Sequence, residues 1–369
     1  TKKMGVNFDF EINLTGLIYD GPQVIGVQGI NNKTKQPYKK TAKVIVDATG
    51  VTSMLRNQLQ NSTKIEKKIE RRDLESTGRH IMYFDKGEED LTDFDPDFCI
   101  IHLDQDIAPG GYAWVFPKAD NKVNIGLGVE KSILDQRNKR LGKNDNLASL
   151  MEEYLQRNKA IKNAKLSQDP EDINNNTGVF QVSVRRQNDC MVSGGYILVG
   201  DSAWMPKPID AGGIGPALIA GTILGKNVVD AIEANDVTEK GLWQYHLDFI
   251  KEYGYKTAGL ELFRRLVQTL TNEQISYGMK HFLGNVDVEA ISKGEHPDFS
   301  GLSKLGMIIR GAMNKTVANG LKYTSQQNQW LVEHYGNYPK EPEGFEEWEK
   351  SLHKTLDESF AKIATFSKN

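Results

Sequence analysis

Residues 196–216 read YILVGDSAWMPKPIDAGGIGP, and this stretch decides the fold class. It predicts an apolar strand that ends at Gly200-Asp201, a loop, and an apolar helix that opens at residues 212–216. A strand, a glycine-containing turn and a helix in this order are typical of α/β folds, whose ligands bind at the carboxyl ends of strands. The Asp201 carboxylate is therefore expected at that edge, where it can accept hydrogen bonds from ligand hydroxyls.

The first 50 residues contain only strand and turn patterns. Residues 41–50 read TAKVIVDATG, and the continuous apolar run 44–46 predicts an interior strand of a parallel sheet, covered on both faces. Gly50 permits a sharp turn at the carboxyl end of that strand. We therefore expect the strand at residue 196 to return to a sheet that the chain begins before residue 50.

The segment between these two strands has a different pattern of apolar and polar residues. Period-2 patterns separated by turn residues occur at residues 79–84, 97–103, 112–116, 123–129 and 179–184. They predict an inserted antiparallel sheet. One helix is predicted there, at residues 145–157, and the polar residues 163–177 are predicted to form a surface loop.

Most of the chain after Thr238 has a helical pattern. Apolar residues at helical spacing run from Phe345 to Ile363, and the polar side of that helix is mainly acidic. We expect it to pack on the body of the protein rather than on an anionic membrane surface.

Composition excludes several classes of protein. The 369 residues can bury a sizeable core, and 46 basic against 49 acidic side chains give a net charge of −3, which does not attract nucleic acid. The longest nearly uncharged apolar stretch, residues 211–225, is shorter than the ~20 residues of a spanning helix. Two cysteines indicate a reducing compartment. The expected location is the cytoplasm, with peripheral contact at the inner face of the cell membrane left open.

Other reactive side chains predict little chemistry. The seven histidines form no H-x-x-x-H pair, so no metal site is predicted. Cys99 lies in an alternating strand and is expected in the core, as is Cys190 just before the returning strand. The pairs at residues 185–186 and 264–265 could bind a phosphate, but surface arginines are the expected explanation.

An aromatic strand supplies a further pattern. Period 2 places Tyr112, Trp114 and Phe116 on one face of a strand, opposite the smaller residues between them. Such a wall suits a prenyl chain, although an aromatic strand can also be ordinary sheet core. Gly126 and Gly128 on the next strand favour the ligand-binding interpretation.

These residues resemble known motifs. Ala48-Thr49-Gly50, Gly200-Asp201 and residues 208–215 resemble the second and third cofactor motifs of FAD proteins of the aromatic-hydroxylase type. The sequence YAWVFP at residues 112–117, then eight residues and GLG at residues 126–128, resembles the Y-x-W-x-F-P…G-x-G motif of the geranylgeranyl reductase family. Members of that family use reduced FAD to saturate double bonds of isoprenoid chains, including those of archaeal membrane lipids.

The resemblance implies an α/β fold in the Rossmann-like FAD-binding domain. An inserted antiparallel-sheet substrate domain and a C-terminal helical region make the whole chain α+β. The implied domains are residues 1–70 and 191–235 for FAD, 71–190 for the prenyl substrate, and 236–369 for the helices. The implied cofactor-binding residues are Ala48, Thr49, Gly50, Gly200, Asp201, Pro208, Gly212, Gly213, Ile214 and Gly215. The implied substrate-binding residues are Tyr112, Trp114, Phe116, Gly126 and Gly128.

One motif of these FAD proteins is absent from the sequence. No strand is followed by the G-x-G-x-x-G turn and helix that bind the adenosine half of the cofactor. Either the sequence begins inside the cofactor domain, or this polypeptide cannot hold the adenosine. We favour the first explanation.

The expected reaction needs a hydride at one alkene carbon and a proton at the other. Tyr112 is the member of the aromatic wall with a transferable proton and is the candidate catalytic residue. A water held by Asp201, by Tyr112 or by a backbone carbonyl could serve as well.

Three functions follow from the sequence. The first is a flavin-dependent reductase of isoprenoid lipids that takes electrons from ferredoxin or a nicotinamide. The second is a flavin-dependent monooxygenase or halogenase on the same fold. The third is a non-enzymatic prenyl-lipid-binding remnant.

Overall fold

The computed structural model describes residues 2–60, 62, 64–86, 97–158, 161–173, 177–282 and 314–366. Parts of the predicted loop 163–177 and of the predicted helical region 236–369 lie outside these residues. The strands are β1 Ile12–Asp20, β2 Gln23–Asn31, β3 Pro37–Thr41, β4 Ile45–Asp47, β5 Leu74–Lys86, β6 Ile100–His102, β7 Ala113–Lys118, β8 Lys122–Glu130, β9 Ile161–Leu166, β10 Gly178–Ser183, β11 Val192–Ser193 and β12 Tyr196–Leu198. The helices are α1 Met54–Asn57, α2 Lys131–Leu141, α3 Leu147–Arg157, α4 Ile214–Glu233, α5 Glu239–Leu242, α6 Gln244–Glu252, α7 Thr257–Val267, α8 Asn272–His281, α9 Lys315–Gly336 and α10 Phe345–Ala364.

The returning strand pairs as the sequence predicts. β12 lies parallel to β4, with Tyr196 opposite Ile45, and the described sheet has the order β11-β12-β4. The prediction that β4 is an interior strand covered on both faces stays a prediction. Among the described residues β4 pairs only with β12, and Val46 is 40% exposed. A separate antiparallel sheet, in the order β1-β2-β3, precedes this one.

The inserted segment forms an antiparallel sheet, which confirms that prediction. Its order is β10-β5-β8-β7-β6, and β9 also pairs with β5. Residues 161–166 are therefore a strand, and the prediction of a surface loop was wrong over residues 163–166. Ile161 enters the insertion core and Ala164 packs against it, but Asn163, Lys165 and Leu166 are exposed, so the apolar pattern of this strand is weak.

The insertion contains a helix that the sequence analysis missed. α2 buries Leu134 and Arg137 and is otherwise largely polar, so its apolar periodicity is weak. The sequence features that mark this helix are instead the capping residues at its two ends. The Glu130 carboxylate accepts hydrogen bonds from the first-turn amides, and Gly142 ends the helix in the left-handed conformation, at φ 63°.

Two apolar cores hold these layers together. One lies within the insertion, where Val115, Ile125 and Leu127 of the sheet contact Leu150 and Met151 of α3. The other runs from the first hairpin through β12 to the C-terminal helices. α10 buries its apolar face in this second core, which confirms that it packs on the body of the protein. The domain boundaries at residues 70, 190 and 235 stay predictions.

Candidate active site

The turn after β12 presents a carboxylate at the carboxyl edge of the sheet. Gly200 has a φ of 66°, which favours glycine, and starts a short 3-10 turn that contains Asp201. The Asp201 side chain is partly buried and forms no hydrogen bond with the described residues. Burial raises the pKa of its carboxyl. The turn therefore offers an acceptor without a protein partner at the ligand edge.

An unusual tryptophan supports this turn. Trp204 is fully buried with a left-handed φ of 58°, and its amide donates to the Asp201 carbonyl at 3.1 Å. The guanidinium groups of Arg56 and Arg185 both lie over its indole, with Cζ atoms 4.5 and 4.6 Å from the ring centroid. Such cation–π contacts offset the strain of a bulky residue in this conformation.

The glycines before α4 differ in their structural roles. The Gly212 amide donates to Asp210 Oδ1 at 2.9 Å, and a Cβ there would lie 2.9 Å from Lys207 Cε. A Cβ on Gly213 would lie 3.3 Å from Asp201 Oδ1. Internal loop contacts therefore explain these two glycines. A Cβ on Gly215 would meet nothing within 4 Å, so that position leaves open space.

The N-terminus of α4 faces that space without a cap. Its N-cap is Gly213, with no side-chain hydrogen bond, and Ile214 is 82% exposed. Pro208 is buried at the base of the loop. The free amides of the first turn and the positive end of the helix dipole favour a negatively charged ligand.

The predicted 48–50 turn lies beside the Asp201 turn because β4 and β12 are parallel. The Asp47 carbonyl accepts from the Val199 amide at 3.0 Å, which ties the two strand ends together. Gly50 has a φ of 92°, and a Cβ on it would meet nothing within 4 Å, while Ala48 and Thr49 continue the turn. The structure thus brings both predicted cofactor segments to one edge.

Asp47 organises this edge, and the sequence analysis missed it. Its buried carboxylate accepts from the Thr49 amide at 2.9 Å and from the hydroxyls of Ser53 and Tyr196. Burial, and then the Asp47 charge, raises the pKa of Tyr196 well above its ordinary value. An Asp at the carboxyl end of the run VIV was the available signal, because strand ends at this edge carry functional groups.

The aromatic wall on β7 is continuous. The ring centroids of Tyr112 and Trp114 are 5.7 Å apart, and those of Trp114 and Phe116 are 5.9 Å apart. A Cβ on Gly126 would overlap the Trp114 indole, so glycine is required there. The Trp114 Nε1 donates to Asn124 Oδ1 at 3.0 Å and fixes the ring.

The second glycine of the G-x-G motif makes room for an acid. A Cβ on Gly128 would lie 3.0 Å from Glu75 Oε2, and one on Gly111 would lie 3.1 Å from the same atom. Glu75 lies on β5, shares the face of the aromatic wall and is 4% exposed. Burial raises the pKa of its carboxyl to about 7. Glu75 precedes the period-2 pattern at residues 79–84, so the sequence revealed neither its place on β5 nor its burial.

Tyr112 connects the wall to the cofactor loop. Its hydroxyl donates to the Asp210 carbonyl at 2.5 Å, two residues before Gly212. Burial, followed by the Glu75 and Asp210 carboxylates, raises the pKa of Tyr112 well above its ordinary value. The hydroxyl proton is therefore held in a structural hydrogen bond.

An apolar cavity of about 380 Å³ begins at this junction. Glu75, Tyr112 and Asp210 line one part, and Phe263, Leu266, Val317 and Leu321 line the rest. Its volume is within the usual range of small-molecule sites. A second cavity of about 470 Å³ shares Ile101, Leu103, Ile275 and Met279 with it. The arrangement can enclose a long apolar ligand beside the loop that ends at α4.

The two cysteines differ from each other. Cys190 is buried, and burial raises the pKa of its thiol well above the ordinary value, so it is an unreactive core residue as expected. Cys99 is exposed, and the prediction that it lies in the core was wrong. The strand β6 begins only at Ile100, so Cys99 precedes the paired residues and borders the apolar cavity.

The paired arginines are not surface residues, and that expectation was wrong. Arg185, Arg186 and Arg264 are each at most 5% exposed. These arginines and Arg265 form ion pairs that link the loop after β10, α7 and the residues before β5. The carboxylates are Glu66, Asp73, Asp189 and Glu261. His353 of α10 also contacts Asp189 at 2.9 Å. A buried charge survives when it is paired and hydrogen-bonded, which is why these side chains are inside.

Potential metal ligands also meet in this network. Glu66, Asp189 and His353 bring ligand atoms within 4.8 Å of one another. Arg185 pairs with Glu66 at 2.7 Å, and Arg186 pairs with Asp189 at 2.6 Å. These ion pairs account for the carboxylates without a cation.

Within the described part of the chain, no helix is both long and apolar enough to cross a bilayer.

Similarity to known proteins agrees with this geometry. A family model described as the geranylgeranyl reductase catalytic domain matches residues 74–166, which include β5 to β9. The digeranylgeranylglycerophospholipid reductase of Sulfolobus acidocaldarius is 30% identical over 343 residues, covering 92% of this chain and 71% of that protein. The protein of the same name from Methanocella arvoryzae is 30% identical over 292 residues, covering 79% of this chain and 66% of that protein.

A solved structure shares the fold. The geranylgeranyl bacteriochlorophyll reductase-like protein of Thermoplasma acidophilum superposes with a TM-score of 0.62 and 21% identity, covering 85% of this chain and 69% of that chain. The likeness confirms the mixed α/β fold class with its inserted sheet.

Proposed function

The chain belongs to the geranylgeranyl reductase family, and from that premise we propose that it reduces the isoprenoid chains of a digeranylgeranyl glycerophospholipid. It is an FAD-dependent oxidoreductase that saturates carbon–carbon double bonds.

The observation that carries the proposal is the junction between the aromatic wall and the cofactor loop. The Tyr112 hydroxyl donates to the Asp210 carbonyl at 2.5 Å, and both residues border the apolar cavity. A prenyl chain in this cavity would have its inner end beside residues 210–215. An apolar chain gains free energy there by leaving water, at about 25 cal/mol per Å² of buried apolar surface.

The residues at the sheet edge fit a flavin. The Asp201 carboxylate has no partner among the described residues and can accept from ribityl hydroxyls. Gly50 and Gly215 leave open space for a flat ring, and the uncapped start of α4 favours the negative charge of a reduced flavin. When bound, reduced FAD supplies the hydride for the double bond.

This chain's own residues position the substrate and exclude water. Of the aromatic wall, Tyr112 lines the apolar cavity, Trp114 and Phe116 continue the wall beyond the residues that line it, and Ala113 on the opposite face anchors the strand in the inserted core. Tyr112 holds the cofactor loop against the wall. A closed apolar site also keeps the reacting carbons away from bulk solvent.

We propose that lipid enters at the rim of the cavity from a membrane surface. Three apolar side chains near the rim are exposed: Phe98 at 66%, Ile101 at 46% and Met279 at 41%. Replacing Phe98 and Ile101 with Ser should reduce cosedimentation with vesicles of anionic archaeal-type phospholipid. Val179→Ser, at an exposed residue of β10, is the control and should leave cosedimentation unchanged.

The reaction is tested with chemically reduced protein under anaerobic conditions. Given a digeranylgeranyl glycerophospholipid, the protein should add two hydrogens per double bond, which mass spectrometry of the product measures. Addition of oxygen or halogen would support a monooxygenase or halogenase instead. No mass change across several prenyl lipids, from protein with a flavin absorption spectrum, would contradict the proposed reduction. Parallel assays with reduced ferredoxin and with a nicotinamide identify the electron donor.

The cofactor role of Asp201 has its own test. Asp201→Ala should weaken flavin binding by about 1–3 kcal/mol, because ligand hydroxyls lose their acceptor. Flavin retention on dilution, measured by absorbance, checks this expectation. Asp230→Ala, an exposed residue of α4, is the control, and equal retention by the two variants would contradict the assignment.

A further inference from the structure

Glu75 is a buried carboxyl that the cofactor loop and the ion-pair network leave unexplained. It is 4% exposed on β5, borders the apolar cavity and forms no hydrogen bond or ion pair with the described residues. An ionised carboxylate without such partners is costly to bury. Its surroundings therefore favour the neutral acid, which has a proton to donate.

Charged groups face Glu75 from neighbouring elements. Arg264 on α7 attracts the carboxylate, but one of its amino groups already donates to Asp73 at 2.9 Å. Glu130 on β8 repels the carboxylate and is itself held by the amides that it caps on α2. Burial outweighs the attraction of Arg264, so the pKa of Glu75 rises to about 7. A pKa near the working pH suits a general acid.

The other titratable groups that line the cavity are less suitable as proton donors. Tyr112 donates its proton to a backbone carbonyl, and Arg264 does not release a proton in proteins. The Asp210 carboxylate forms an ion pair with Lys207 at 2.7 Å. Cys99 is an exposed residue at the rim of the cavity. Glu75 instead lies beside the bare backbone of residues 111 and 128, close to Tyr112.

We propose that protonated Glu75 is the catalytic acid of the reduction, an assignment that rests on the proposed function. One alkene carbon takes the Glu75 proton, and the other carbon takes the hydride supplied by reduced flavin. The π bond, the O–H bond of Glu75 and the bond that holds the hydride on the reduced flavin would break, two C–H bonds would form, Glu75 would become a carboxylate, and the flavin would be oxidised by two electrons. Solvent returns a proton to the carboxylate before the next double bond is reduced.

The test compares Glu75→Gln with Glu130→Gln in the full chain. Glutamine keeps the shape of the protonated acid at residue 75 but cannot transfer its proton. Glu130 faces Glu75 from β8 and does not line the cavity, so Glu130→Gln controls for loss of a nearby charge. Glutamine can still cap α2 through its side-chain oxygen.

Two measurements are made on each protein. The first is an infrared titration of the isolated protein from pH 5 to 9, which follows a protonated carboxyl band independently of turnover. The second is single-turnover reduction of a digeranylgeranyl glycerophospholipid by chemically reduced protein, with lipid affinity measured separately.

Glu75→Gln should remove a carboxyl band that titrates near pH 7 and slow reduction by about 10²–10⁴-fold, with lipid affinity retained. Wild type and Glu130→Gln should keep the band, and their rates should fall as pH rises through the Glu75 pKa. Unchanged turnover in Glu75→Gln would overturn the proposal, as would a carboxyl already ionised at pH 5. If wild type itself reduces no prenyl lipid, the proposed function fails, and the assignment of Glu75 as its catalytic acid fails with it.

Discussion

The two faces of the inserted sheet are made from alternate residues of the same strands, yet they differ in almost every property. On one face, Val115, Ile125 and Leu127 pack against α3 and fill a closed apolar core. On the other face, Trp114 lies over Gly126, and the Glu75 carboxyl lies over Gly128. The first face is filled by protein side chains, whereas the second combines large rings, glycines and an acid, and borders the apolar cavity at Tyr112 and Glu75.

This difference shows how one sheet separates stability from chemistry. Period 2 lets a strand supply anchoring residues and ligand-binding residues in turn. Substitutions on the helix-covered face should therefore change the free energy of unfolding, and those on the aromatic face should change ligand binding and proton transfer.

The largest effect is expected on the helix-covered face. Leu150→Ala removes a fully buried side chain of α3 and should lower the free energy of unfolding by about 2–5 kcal/mol. Chemical denaturation measures the loss. Flavin content and prenyl-lipid affinity of the folded fraction should stay at wild-type values, and a parallel loss of either would show that the two faces are not independent.

The next effect is a pH dependence of the free energy of unfolding, caused by Glu75 on the aromatic face. The pKa of Glu75 rises from 4.5 to about 7 on folding, so between these values the unfolded chain releases a proton that the folded protein keeps. The free energy of unfolding should therefore fall by roughly 3 kcal/mol as pH rises across this window, relative to Glu75→Gln. Urea denaturation of both proteins from pH 4 to 8 measures it, and parallel pH profiles would contradict the burial of an acid at this position.

Gly128 on β8 and Gly78 on β5 test the difference between the two faces of the inserted sheet. A Cβ at Gly128 would lie 3.0 Å from the Glu75 carboxyl, so Gly128→Ala should cost about 1–3 kcal/mol and shift the Glu75 infrared band. Gly78 faces the other side, where the nearest atom is a Leu147 methyl carbon at 3.2 Å. Gly78→Ala should leave that band unchanged, and the prediction fails if both variants shift it equally.

The smallest effect is expected at the junction with the cofactor loop. Tyr112→Phe removes the hydrogen bond to the Asp210 carbonyl and should cost about 0.5–1.5 kcal/mol of stability. The wall itself keeps its ring, so lipid affinity should change little. Thermal unfolding and flavin dissociation are the measurements, and a large loss of reduction with an intact flavin site would give Tyr112 a direct chemical role instead.

Local pattern in the sequence was sufficient for the larger architecture. Strand periodicity predicted the antiparallel insertion and the aromatic face, because alternation follows directly from the pleat. The apolar strand ending at Gly200-Asp201 predicted the return to the parallel sheet, and β12 pairs with β4 as expected.

Features that depend on residues far away in the chain could not be predicted from local sequence pattern. Arg186 is buried because Asp189 and Glu261 neutralise it, and Glu261 is 75 residues away in the chain. Glu75 is buried because α7 and the residues before β7 close over it, which no local pattern reveals. Local pattern also does not explain why residue 128 is a glycine, since that depends on the position of the Glu75 carboxyl.

The pairing of β4 with β12 also sets an order of events during protein synthesis. Ile45 finds its partner Tyr196 only after about 150 further residues have left the ribosome, and the second core is complete only with Ile363. The inserted sheet has a core confined to residues 82–161 and can form while the chain is still growing. At about 5–20 residues per second, β4 therefore waits on the order of ten seconds for its partner β12.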